Sequence, residues 1–195
     1  MAMKRVLLIA LFFLSAVAGT NHVAALPLFS ETGKQAVFLS PMERWMSTWD
    51  LEGYVFHLER AGYRVDVLLD ENVSISFLKT GLANYDIIIL RTDSFDDEGV
   101  SYYCSGEPVT TKTRTTFAAE ISSGELEVGE CVGFSAAFLK HSYPAGSLQS
   151  GLVFAIGALT ADLSSLFLEG GSSAFVGYND IVGLQWGRLD ALSIG

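Results

Sequence analysis

"YDIIILRTDSF", residues Tyr85 to Phe95, decides the fold. Asp86-Ile87-Ile88-Ile89-Leu90 is short, dense in β-branched residues and bounded by polar groups, which predicts a fully buried strand. It stops abruptly in the polar tip Arg91-Thr92-Asp93-Ser94. Polar groups at the carboxyl end of a central strand in an open α/β sheet are where ligand sites lie. The tip is therefore a candidate site.

Working outward, "QAVFLSP" (Gln35 to Pro41) reads as a short buried strand ended by proline. In "TWDLEGYVFHLERAGY", Leu51, Tyr54, Val55 and Leu58 have helical spacing, and Gly62 stands where a helix C-cap favours glycine. "RVDVLLD" is a second strand. "SISFLKTGLANY" is a short helix opened by Ser74 or Ser76 and stopped near Gly81. Beyond the tip, Asp96 to Glu130 is rich in Thr, Ser, Gly and charge. Alternation in "VSYYC" and "TRTTFAAEI" predicts a small antiparallel excursion there rather than a helix. "GFSAAFLK" reads as a short helix, "GLVFAIG" as the fourth strand, "TADLSSLFLEGG" as a helix and "SAFVGYN" as the fifth strand. "GLQWGRLDALSIG" reads as the start of a helix, which leaves open a C-terminally incomplete domain. Strands alternating with helices imply right-handed crossovers. The expected fold class is α/β, a mainly parallel, doubly wound sheet with helices on both faces and a small β insertion, in one domain over 30–195.

The first 25 residues have the parts of a signal peptide: Lys4 and Arg5, an apolar stretch from Val6 to Val17, and the small-residue site Ala16-Val17-Ala18. Cleavage is expected after Ala18 or Ala25. The apolar run falls short of the roughly 20 residues a spanning helix needs, so export is expected, with membrane contact only through an uncleaved signal. Removing Lys4 and Arg5 takes the formal charge from −10 to −12. Nucleic acid and anionic membrane surfaces need clustered Lys and Arg, and no basic run exceeds Lys112-Thr113-Arg114. No nucleic-acid partner is expected.

Cys104 and Cys131 are the only cysteines. In an exported protein they suit one disulfide. The alternative is a reactive thiol, which would want a cationic or imidazole neighbour. Of His22, His57 and His141, only His141 falls near them in sequence, which makes no zinc set. Neither a metal nor a cofactor is expected. Thr92, Asp93, Asp96, Asp97 and Glu98 offer oxygen ligands to calcium, without the spacing of an EF-hand loop.

Three words of the sequence resemble the caspase-like fold of cysteine peptidases, the gingipain, clostripain and CHAT-type group. "ANYDIIILRTDS" (Ala83 to Ser94) resembles the strand leading to that group's catalytic His. "SGLVFAIGALTADLSSLFLEGGSSAFVGYND" (Ser150 to Asp180) resembles the strand ending at the nucleophilic Cys, a helix, and the next strand. "SGEPVTTKT" between them resembles the hairpin insertion of secreted prokaryotic members. The resemblance puts the family His on Asp93 and the family Cys on Ala158. A methyl group cannot attack a carbonyl, and a carboxylate is a poor proton shuttle at neutral pH. The resemblance thus implies a pseudo-peptidase, with no catalytic residues and a binding or structural role toward a peptide or protein partner. Its vestigial cleft would be lined by Arg91, Thr92, Asp93, Ser94, Gly157, Ala158 and Asp180.

Plainer readings stand beside this one. Asp93 and Ser94 also suit a solvated loop start, and Gly157-Ala158 also suits close strand–helix packing. Two other functions are weighed: a working cysteine peptidase using Cys131 and His141 or another arrangement, and a flavodoxin-like or amidotransferase-like ligand-binding domain. Glu127 and Glu130 beside Cys131 would raise a thiol's pKa. No G-x-G-x-x-G word follows any strand.

Overall fold

The computed structural model describes residues 33–42 and 49–179. The signal segment, His22, Asp180 and the helix expected from Gly183 lie outside the described residues.

Five strands form a parallel sheet: β1 (Gln35–Ser40), β2 (Arg64–Leu69), β3 (Ile87–Arg91), β8 (Leu152–Ile156) and β9 (Phe175–Val176), in the order β2-β1-β3-β8-β9. The three inner strands carry the continuous apolar runs, because a parallel sheet is covered on both faces. One face is covered by α1 (Trp49–Arg60), whose Leu51, Tyr54 and Leu58 pack on Ala36, Phe38, Ile87 and Ile89. On the opposite face, Val37, Leu39, Ile88, Leu90 and Val153 join a larger core with residues of α2 (Ile75–Thr80), α5 (Ala136–Ser142) and α6 (Ser164–Glu169). Each buried Leu, Ile or Phe stabilises by about 1.5–3 kcal/mol relative to exposure, so these two layers hold the sheet between them.

Local chemistry sets the helix ends. Gly62, at φ +87°, follows α1 where the chain must turn left-handed, and its N–H bonds Glu59 O. Ser74, not Ser76, caps α2: its Oγ accepts the Phe77 N–H at 3.1 Å.

Between β3 and β8 the chain builds a second sheet, antiparallel, in the order β4 (Ser94–Asp97), β5 (Val100–Cys104), β7 (Val132–Ser135), β6 (Leu126–Val128). The expected excursion is there, but the "TRTTFAAEI" stretch is not part of it. It forms two short helices, α3 (Thr111–Thr116) and α4 (Ala118–Ser122). Thr110 caps α3 by accepting the Thr113 N–H at 3.0 Å, and Thr113 and Phe117, four residues apart, are both buried. Capping and i,i+4 burial outweigh the β-propensity of the threonines. "GFSAAFLK" is likewise split: Gly133 to Ser135 is strand, and Ser135 then caps α5. The fifth strand is shorter than "SAFVGYN".

The expectation of a disulfide is met. Cys104 and Cys131 are joined, 27 residues apart in sequence, with their α-carbons 5.7 Å apart. Such a bond is compatible with an extracytoplasmic location. Among the described residues, no helix is long and apolar enough to cross a membrane.

Candidate functional site

The site is built where β3 and β8 end side by side. Arg91 is in register with Ile156, and the Thr92 N–H continues the ladder to Ile156 O at 2.9 Å. Asp93 and Ala158 therefore each stand two residues past their strands, at neighbouring carboxyl ends. Ser94 Oγ donates to Ala158 O at 2.8 Å and closes the two tips on each other.

The backbone after β8 is special. Gly157 sits at φ +155°, and a β-carbon there would run into the Thr92 carbonyl. Only glycine lets the two tips approach this closely. Leu159 then takes a left-handed conformation, φ +57°, which is costly for a branched side chain. Three side chains of the β4–β5 hairpin hold this turn: Ser94 as described, Tyr103 by donating to Leu159 O at 2.9 Å, and Ser101 by a 3.1 Å bond to Asp162 Oδ2. Burial, with Asp162 adding, pushes the Tyr103 hydroxyl far above the usual phenol range, so it remains a neutral donor. From below, Thr160 Oγ1 bonds Ala155 O and Gly157 O, each at 3.0 Å, and accepts the Tyr178 N–H.

The expected cleft residues thus divide by exposure. Ala158 is 8% exposed, Arg91 5% and Thr92 0%, whereas Asp93 faces solvent and Ser94 is half-buried. Asp93 is held at the rim by its own backbone: its Oδ1 accepts the Ser94 N–H at 2.9 Å, and its carbonyl accepts the Cys104 N–H at 2.9 Å. Thr92 Oγ1 reaches Cys104 O at 2.7 Å. The disulfide-bearing residue is therefore bonded directly to the strand tip.

Arg91 turns away toward β1. Its Nε and Nη2 lie 3.2 and 3.0 Å from the buried Ser40 Oγ, and its guanidinium stands 5.6 Å from the Phe38 ring centre. It fills the point between β1 and β3 where the strand order reverses. Ser40 was not among the residues singled out from sequence; its place at the end of an apolar strand was the available signal.

Two other groupings do not assemble. Cys131 is in the disulfide and carries no thiol, and His141 lies exposed with Nδ1 2.9 Å from Glu125 Oε1. A Cys131–His141 nucleophile pair is absent for that reason. Asp96 and Asp97 are successive residues of β4, so their side chains leave opposite faces of the sheet, and Glu98 stands in the hairpin turn. Among the described residues no group of three or more His, Cys, Asp or Glu is arranged to hold a metal ion.

No family model matches the chain, and no curated protein matches it.

What the site can do follows from its groups. Among the described residues, no thiol or imidazole stands at the strand tips, and the hydroxyls of Ser94 and Tyr103 are engaged with backbone carbonyls. It offers a rim carboxylate, Asp93, on a braced backbone.

Proposed function

We propose that the chain is an exported caspase-like domain of the gingipain, clostripain and CHAT-type group, without peptidase chemistry, acting as a binding or structural module for a peptide or protein partner. The observation that carries the reading is that residues 93 and 158 each stand two residues past neighbouring parallel strands, at the same end, with Asp and Ala as the residue types. The antiparallel sheet inserted between the third and fourth parallel strands supports it. A partner would meet Asp93, which faces solvent, rather than Ala158, which is covered. The test is incubation of the purified protein with a mixed peptide library, read by mass spectrometry. No cleavage is expected. Cleavage that follows the protein through a further purification step would overturn the reading.

The strand order favours a second reading. An order of 2-1-3-4-5 is also that of flavodoxin-like domains, whose ligand lies at the switch point between the first and third strands. Ser40 and Arg91 meet there. Binding of an anionic small molecule that is lost in Arg91→Gln and kept in Asp93→Asn would favour this alternative.

A further inference from the structure

We propose that Asn72 is an N-glycosylation site, taking an oligosaccharide from a polyprenyl-linked phosphosugar donor as the chain is exported. Asn72-Val73-Ser74 has the acceptor pattern: an amide, a hydroxyl two residues on, and no proline between them. Asn21, Asn84 and Asn179 lack that hydroxyl. The glycan is a bulky, polar surface group, so the triplet is an acceptor only where the fold can carry one in solvent. The structure supplies that setting. Asn72 ends the short 3-10 turn Asp70–Asn72 that follows β2, and it is exposed. Val73 beside it is fully buried in the larger core, so the turn is anchored through Val73 and presents Asn72 to solvent. The inference goes beyond the function proposed above and rests on that reading only for export.

The turn is held without help from the acceptor side chain. The Gly106 N–H donates to Val73 O at 2.9 Å, and a β-carbon on Gly106 would run into the Asp70 carbonyl. The Ile75 N–H donates to Glu107 Oε2 at 3.2 Å. Asn72 Nδ2 makes one exposed bond, donating to Leu69 O at 3.2 Å. In the transfer, Nδ2 bonds C1 of the first sugar and the C1–O bond to the donor phosphate breaks. The phosphate leaves with the electron pair, and one amide proton is lost to base. The product amide keeps one N–H, so the bond to Leu69 O can persist. Ser74 Oγ accepts the Phe77 N–H at 3.1 Å, which fixes Ser74 in the folded cap and places the transfer before α2 closes. The Cys104–Cys131 bond, compatible with an extracytoplasmic location, fits the exported compartment that the transfer requires.

The test is secretion of the chain from a eukaryotic cell in two forms, one with its own N-terminus and one with its first 25 residues replaced by the host's signal. Peptide N-glycosidase should lower the apparent mass of both. In heavy-oxygen water it should convert Asn72, and no other asparagine, to labelled Asp. Asn72→Gln should be secreted folded and without glycan. Ser74→Asp separates the motif from the fold, because Asp caps a helix as well as Ser but offers no hydroxyl. It should fold and carry no glycan, whereas Ser74→Thr should keep both cap and glycan. Unmodified Asn72 in folded protein from both forms would overturn the proposal, as would a glycan that survives in Asn72→Gln or Ser74→Asp. A glycan found only behind the host's signal would support Asn72 as the acceptor and overturn the export reading instead.

Discussion

The hydroxyl of Ser94 donates to the main-chain oxygen of Ala158 at 2.8 Å, tying the first residue of the antiparallel hairpin to the turn beyond the fourth parallel strand. With the Ser101 and Tyr103 bonds to the same turn, it joins the two sheets at the level where the candidate site stands. Ser94→Ala would leave the Ala158 carbonyl without that donor. The expected loss is about 1 kcal/mol, typical of one neutral hydrogen bond, seen as a lower urea midpoint at unchanged slope. No shift in midpoint would mean that this bond does not brace the turn.

The disulfide acts on the same place from the other side. It closes a 27-residue separation, and Cys104 is bonded through its N–H and carbonyl to Asp93 and Thr92. Replacing both cysteines by serine should cost roughly 3–4 kcal/mol in the chain-entropy account. Hydrogen exchange should then rise first at residues 92–94 and 103–105, while β1 and the core of β3 stay protected. Uniform loss of protection would contradict this local role.

The parallel sheet was legible because its inner strands are continuous apolar runs, a pattern with few competing explanations. The insertion was less so. Thr111 to Thr116 looks like strand by residue type, and only the Thr110 cap and the Thr113–Phe117 spacing tell otherwise. Ser94 to Asp97 is too polar to announce a strand; pairing with Tyr102 and Tyr103 makes it one. Asp93 and Ala158 stand at neighbouring strand ends because β3 and β8 are adjacent in the sheet. The Ser94, Ser101 and Tyr103 bonds to the 158–162 turn were not legible, since they join residues 56 to 64 apart in sequence.

Alkaline pH should expose the tyrosines' contribution. Burial pushes the Tyr143 hydroxyl up to about 12, although the Leu82 N–H it accepts at 3.0 Å pulls the other way. Tyr103 is raised in the same direction by burial. A folded pKa above the unfolded value of about 10 means that stability is full below that pH and is lost as pH rises through the folded value. The urea midpoint should therefore fall between about pH 10 and 12. Tyr143→Phe should start lower, having lost the Leu82 bond, and fall less steeply. Parallel curves for the two proteins would contradict the assignment.

The central proposal is that residues 93 and 158 share one vacated catalytic address. It is tested by the pH dependence of iodoacetamide labelling in three variants: Ala158→Cys, Asp93→Asn/Ala158→Cys and Asp93→His/Ala158→Cys. An imidazolium beside a thiol stabilises the thiolate, so the variant with both new groups should label with an apparent pKa clearly below the usual value of about 8.5. It should also fall below the Asn variant, which removes only the carboxylate. Superimposable profiles for the His and Asn variants would show that position 93 does not reach position 158, and the account would fail.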